Sequence, residues 1–283
     1  MKTLMIGNSF SICVLKYMPS VAAELGCDLD LASLYIGGCP LQKHAANIAA
    51  GGYADHRPYL VTWNYASLQD QAAVPFASLL GGEKGDHGNI PQLLAADKWD
   101  VVTIQQASHE SWNPDTYYPW ADMVISAIRK NAPQARIVIQ QTWSYCNADA
   151  RICNQETKGP GTWGFDQLGM YERLTANYSK LAAEYGFDII PTGKAVQLYR
   201  ERRPVTQVAE DVVGNFWTDE NGVDHADTIH LNRDGEYLQA CVWTAKLFGA
   251  DVTRLATVPD NLNTPASAAL LRECARDAVA ERL

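Results

Sequence analysis

Two places in the sequence carry side chains that could act together as a nucleophile and its base. Near the start, Gly7-Asn8-Ser9-Phe10-Ser11 follows a short apolar run (residues 3–6) and leads into a helical pattern over residues 14–25. Ligands of an open parallel sheet sit beyond the carboxyl ends of its strands, so a hydroxyl at such a turn is delivered to that crevice. The helix N-terminus beside it has free N–H groups able to stabilise an oxyanion. The plain alternative is that Ser9 or Ser11 only caps the helix. Near the other end, Asp227-Thr228-Ile229-His230 runs into Leu231-Asn232 and a helical pattern over residues 234–248. A serine hydroxyl is a poor nucleophile until a base takes its proton, and the base needs a carboxylate to hold and polarise its ring. An Asp three residues before a His, on a loop or a first helical turn, can set both side chains on one side. The adjacent pair Asp224-His225 cannot comfortably do the same, and a simple surface pair would share the Asp-x-x-His spacing.

The elements that must hold these groups are short apolar runs separated by helical stretches. Runs at 3–6, 29–36, 100–105, 136–141 and 188–190 read as buried parallel strands, with helical patterns at 14–25, 121–130, 167–185, 234–248 and 266–281. Continuous rather than alternating apolar character fits strands covered on both faces. Strand–helix alternation then predicts an α/β fold, a three-layer α/β/α sandwich. Two stretches break the pattern: 49–98, rich in Gly and aromatics (Tyr53, Tyr59, Trp63, Tyr65, Phe76), and 145–165, with Asn, Gly, Pro and Trp163. Both read as insertions over the sheet's edge within one domain spanning 1–283.

Composition excludes several classes. The chain has 283 residues, 47% of them hydrophobic, which is too apolar for disorder and enough for a large core. Lys and Arg number 23 against 32 Asp and Glu, a net charge of −9, and the pI is about 5.1. The densest basic run, residues 200–203, is broken by Glu201, so no nucleic-acid partner is expected. No apolar stretch approaches the roughly 20 residues of a spanning helix, so no membrane partner is expected either. The seven cysteines are odd in number, scattered and free of CxxC pairs, which suits buried thiols in a reducing compartment. The apolar run at residues 4–6 stops too soon for a secretory leader, so the cytoplasm is the expected location unless a leader has been removed. No HExxH or GxxxxGK[ST] occurs, and neither a metal nor another cofactor is expected.

Taken together, the blocks Gly7-Asn8-Ser9-Phe10-Ser11, Gly37-Gly38-Cys39-Pro40-Leu41, Gln105-Gln106-Ala107-Ser108 and Asp227–His230 resemble the SGNH (GDSL-like) hydrolase superfamily. More narrowly, they resemble a bacterial branch of mostly uncharacterised members. The chain order Ser…Asp…His is also that of α/β hydrolases, where the Asp and His lie further apart. The resemblance implies a flavodoxin-like sandwich around about five parallel strands. It also implies Ser9 as nucleophile, His230 as general base and then acid, and Asp227 as its orienting carboxylate, with backbone N–H groups of Ser9 and Gly38 in the oxyanion hole. Two departures stand out. Asn8 takes the place of the usual Asp before the serine, and Gln105-Gln106-Ala107-Ser108 stands where Gly-x-Asn-Asp is expected. A Gln amide offers the same N–H group as Asn on a longer arm. Successive residues leaving a strand point to opposite faces, so one glutamine serves; Gln106 is preferred over Gln105. Alternatively, both amides satisfy backbone groups at the end of the sheet.

Among the other candidates, His109 and His44 are expected near the crevice as substrate contacts, and His56 and His87 in the first insertion are expected to be solvated. Eight Trp and thirteen Tyr against six Phe, with Trp63, Tyr65, Trp112, Trp143 and Trp163 in loops, suggest aromatic faces with polar handles for sugar rings. Ordinary half-buried packing explains any single one equally well. The expected activity is hydrolysis of small acyl, above all acetyl, esters on a carbohydrate through an acyl-enzyme. The alternatives are a lipid or thioester hydrolase with the same machinery, or a non-catalytic carbohydrate-binding protein.

Overall fold

The computed structural model describes residues 1–52, 59–62, 87–152, 160–203 and 207–281. The apolar runs become strands that are covered on both faces: Leu4, Met5, Ile6, Val101, Val102 and Ile104 are at most 1% exposed. Seven strands make one sheet: β1 (Lys2–Gly7), β2 (Asp30–Tyr35), β3 (Tyr59–Thr62), β4 (His87–Gly88), β5 (Val101–Ile104), β6 (Arg136–Gln140) and β7 (Asp188–Ile190). Their spatial order is β4-β3-β2-β1-β5-β6-β7. The five strands from β2 through β1, β5 and β6 to β7 are parallel, and β3 and β4 extend one edge antiparallel. The chain leaves β1 toward β2 on one side and later returns to β5 on the other. The ends of β1 and β5 therefore flank the point where the order reverses, and a crevice opens there.

Nine α-helices are described: α1 (Ser9–Ile12), α2 (Met18–Glu24), α3 (Leu41–Ala49), α4 (Ile90–Ala96), α5 (Trp120–Asn131), α6 (Gln167–Tyr185), α7 (Thr192–Arg202), α8 (Arg233–Phe248) and α9 (Ala268–Ala280). Helices α3 to α5 pack together on one face of the sheet, with α6 joined to α5 through Tyr185 and Asp122. Helices α2, α7, α8 and α9 pack together on the other. The result is a three-layer α/β/α sandwich.

Four regions depart from the sequence reading. The pattern over 14–25 splits into a 3-10 turn (Cys13–Lys16) and α2, which begins afresh with Pro19 in its first turn. Pro191 precedes α7, an unexpected helix whose polar surface gives little apolar periodicity. Within 49–98, β3 and β4 lengthen the sheet rather than lying over its edge. His56, Tyr53, Trp63, Tyr65, Phe76 and the side chain of His87 lie outside the described residues. Finally, β8 (Val213–Thr218) and β9 (Asp224–Leu231) form a separate antiparallel ribbon, where a loop or helical turn was expected around Asp227.

Candidate active site

Ser9 opens α1, directly after the turn that leaves β1. An added Cβ at Gly7 would lie 2.6 Å from Ser11 Oγ, so a glycine there lets the helix fold back against the strand. Asn8 is the N-cap: its Oδ1 accepts from Phe10 N at 3.1 Å. The same oxygen accepts from Gln105 Nε2 at 2.7 Å, and Asn8 Nδ2 donates to the Cys39 carbonyl at 3.1 Å. Asn8 thus ties together the turns after β1, β2 and β5. Ser11 is buried and donates its hydroxyl to the Asn8 carbonyl at 2.8 Å, so Asn8 alone caps the helix, and Ser9 is left half-buried at the crevice.

His230 Nε2 lies 2.7 Å from Ser9 Oγ, and His230 Nδ1 lies 2.7 Å from Asp227 Oδ2. An ionised carboxylate can only accept, so Nδ1 carries the proton and Nε2 presents its lone pair to the serine hydroxyl. Burial by itself pushes the Asp227 carboxyl up. Hydrogen bonding and charge from the His230 ring, with the backbone N–H groups of His230 and Ile229, outweigh it and hold the group at about 2.

A regular strand sends residues i and i+3 to opposite faces, which would separate Asp227 from His230. The ribbon avoids this with a bulge. Between the pairs Asn215–Asp227 and Val213–Leu231, β9 advances four residues while β8 advances two. The bulged residues are held from outside. Trp143 Nε1 donates to the Ile229 carbonyl at 2.9 Å, Cys146 N donates to the Thr228 carbonyl at 3.1 Å, and Thr228 Oγ1 donates to Asp149 Oδ2 at 2.7 Å. Asp149 is fixed in turn by Arg151, whose Nε and Nη2 donate at 2.8 and 2.6 Å. The Trp143 ring also stacks on Phe10, centroids 4.0 Å apart and 12° between planes. One fully buried indole therefore touches the neighbour of Ser9 and the neighbour of His230.

Ser9, Asp227 and His230 line a cavity of about 590 Å³ together with Gly38, Ser108 and His109. Gly38 has φ +62°, a left-handed conformation that glycine adopts at little cost. Among the described residues, no internal acceptor takes the N–H of Ser9 or of Gly38.

Several expected contacts fall elsewhere. Gln106 is fully buried with its amide turned away from the cavity: Nε2 donates to the Thr116 carbonyl at 2.8 Å, and Oε1 accepts from Leu41 N at 2.9 Å and Ala107 N at 2.7 Å. Gln105 Nε2 donates to Asn8 Oδ1, a side chain, so the alternative in which both amides satisfy backbone groups fits Gln106 but not Gln105. His44 is buried outside the cavity, its Nδ1 2.7 Å from Tyr59 Oη, and burial lowers its ring to about 3. Trp143 is core, not lining. His109 does reach the cavity wall, with its side chain 44% exposed.

Sequence reasoning missed the charged part of the wall. Lys16 Nζ donates to Glu236 Oε1 at 2.5 Å, and Arg233 lies beside them. Glu236 is 4% exposed, and burial pushes its carboxyl up to about 7 despite Lys16. A carboxylate in the first turn of α8 reads from sequence as a helix-end charge, which hides its burial. Cys13 also lines the cavity, but burial raises its thiol, which donates to the Ser9 carbonyl at 3.0 Å.

The family model DUF4886, a domain of unknown function, matches residues 79–278, and the chain belongs to that family. A crystal structure of a DUF4886 family protein from Bacteroides uniformis shares 24% identity over 99% of this chain and 95% of that one, with a TM-score of 0.72. The periplasmic domain of a lipopolysaccharide acetyltransferase from Salmonella ser. Paratyphi A shares 14% identity over 87% of this chain and 83% of that one, with a TM-score of 0.50. At these identities the likeness is one of fold. None of the curated proteins matches the chain.

Proposed function

We propose that this DUF4886 protein is a serine hydrolase that cleaves small acyl esters, acetyl groups on a carbohydrate above all. The observation that carries the reading is the unbroken chain of two 2.7 Å contacts from Ser9 Oγ through His230 to Asp227. Ser9 attacks the ester carbonyl as His230 Nε2 takes its proton, and Asp227 stabilises the imidazolium that forms. The N–H groups of Ser9 and Gly38 face the developing oxyanion. The turn after β5 adds Ser108 to the cavity wall in place of the expected glutamine amide; its hydroxyl lies 2.9 Å from Tyr145 Oη. His230 then protonates the departing alcohol, and in the second half it activates water against the acyl-enzyme.

The Salmonella domain of the same fold is named for acetyl transfer to lipopolysaccharide, so the fold is compatible with acyl groups on saccharides. The test is turnover of acetyl against long-chain esters by the wild type and by Ser9→Ala and His230→Ala. Each substitution is expected to lower kcat by about 10⁴-fold or more. An unchanged rate in Ser9→Ala removes the proposal, and a preference for long chains turns it toward lipid esters.

A further inference from the structure

The β8–β9 ribbon carries a second feature that the reaction does not use. Trp217 is 52% exposed, and among the described residues the one ring it stacks on is the His225 imidazole, with centroids 5.3 Å apart and 17° between planes. Its neighbour Phe216, 42% exposed, has a packing reason for its place: its ring lies over Gly214, where an added Cβ would meet it at 2.9 Å. Trp217 has no such reason, yet its partner is fixed. Asp219 Oδ2 lies 2.9 Å from His225 Nε2, while Asp219 Oδ1 accepts from Asn221 N and Val223 N, both at 2.9 Å. Thr218 Oγ1 donates to Asp224 Oδ1 at 2.8 Å. One aspartate thus closes the hairpin turn and clamps the imidazole against the indole, so a half-exposed aromatic pair is held ready rather than left to swing.

Its position follows from the register. Trp217 pairs with His225 and Asn215 with Asp227, two residues further along, so both pairs share one face of the ribbon. Asn215 and Asp227 line the catalytic cavity, which places the Trp217–His225 pair one two-residue step, about 7 Å, beyond its rim. Residues 213–229 contain four acidic side chains and no Lys or Arg, so an anionic ligand is repelled. Carboxylates around an aromatic face instead suit a ring that offers C–H groups to the indole and hydroxyls to the acids.

We infer that Trp217, backed by His225, is a stacking platform for an uncharged sugar ring, the alcohol part of an ester whose acyl group lies at Ser9. This rests on the hydrolase reading above. The test compares a methyl glucoside bearing one acetyl group on its primary hydroxyl with ethyl acetate. In Trp217→Ala the ratio of kcat/KM for the glucoside to that for ethyl acetate is expected to fall about tenfold, and in Trp217→Phe to be largely kept. An unchanged ratio in Trp217→Ala overturns the platform and leaves the hydrolase standing. Binding supplies a readout without turnover: the acetylated glucoside should quench indole fluorescence of the Ser9→Ala protein, and the quench should vanish in Ser9→Ala/Trp217→Ala. A quench equal in both proteins contradicts the platform. A wild type that turns over neither ester, while the quench still depends on Trp217, contradicts the hydrolase alone.

Discussion

Ser9 stands at the end of β1, where residues 3–8 are shut from solvent and neighbouring strands pair on both sides. Asp227 and His230 stand on a two-stranded ribbon whose strands pair only with each other, and each keeps about 30% of its side chain exposed (31% and 29%). The proposed nucleophile is placed by the general logic of a parallel sheet, in which the turn after a central strand opens on the crevice. The proposed acid and base are placed by a local irregularity, a bulge that alters which way alternate residues face and is held by bonds from the segment after β6. The first placement rests on paired strands and the turn at Gly7 and Asn8, whereas the second rests on contacts from outside the ribbon.

Asp227→Asn is expected to give the largest loss on the ribbon side, about 10⁴-fold in kcat, because the amide can hold His230 in the wrong tautomer. The same variant has a stability signature. Asp227 sits at about 2 when folded, below an ordinary carboxylate, so its contribution is present above pH 4 and is lost as pH falls through 2. Thermal melts from pH 5 to 2 should show a shallower acid decline in Asp227→Asn than in the wild type, and parallel declines would remove the assigned interaction.

Trp143→Phe keeps the stack on Phe10 but deletes the bond to the Ile229 carbonyl. It should lower kcat about tenfold or more with little change in KM, since a small shift of a reacting group is costly while substrate contacts are untouched. A variant with a lowered Tm and normal kcat would show that the indole packs the core without positioning the bulge.

Gln106→Ala separates a structural role from an oxyanion role. With Leu41 N and Ala107 N left without their acceptor, the expected cost is about 1–3 kcal/mol of stability in denaturant unfolding. The loss in kcat should stay below the roughly 10²-fold that follows removal of an oxyanion donor. A rate loss of that size without destabilisation would return the amide to the site.

The smallest effect is expected at Glu236. Its folded carboxyl lies near 7, above its ordinary value, so the stability tied to its protonated form is complete below about pH 4.5 and is lost as pH rises through 7. Glu236→Gln should therefore gain Tm over the wild type at pH 8 relative to pH 4. A difference that does not change with pH would mean that Lys16 fully offsets the burial.

The same contrast explains what the sequence could reveal. The five parallel strands were legible because burial on both faces leaves uninterrupted apolar runs such as Val101-Val102-Thr103-Ile104. The ribbon was not, since Asn215, Trp217, Asp224 and His225 are half or fully exposed and Gly214 interrupts the pattern. Asp227 and His230 could be paired from their types and spacing, but the reason lay in a bulge rather than in a turn. The glutamines were misplaced because their partners, Thr116, Leu41 and Asn8, lie 10 to 97 residues away, beyond any local pattern. His44 and Trp143 looked available for substrate because polar aromatic residues in a core and at a site share a composition. Only the hydrogen bonds to Tyr59 and Ile229 separate the two.

In the proposed reaction His230, held by Asp227, makes Ser9 reactive. Treating the folded protein with a fluorophosphonate and mapping the adduct by peptide mass tests it most directly. One adduct is expected, on Ser9, formed rapidly in the wild type and very slowly in His230→Ala. A folded protein that takes no adduct, or takes it on another residue, or labels at the same rate without His230, would contradict it.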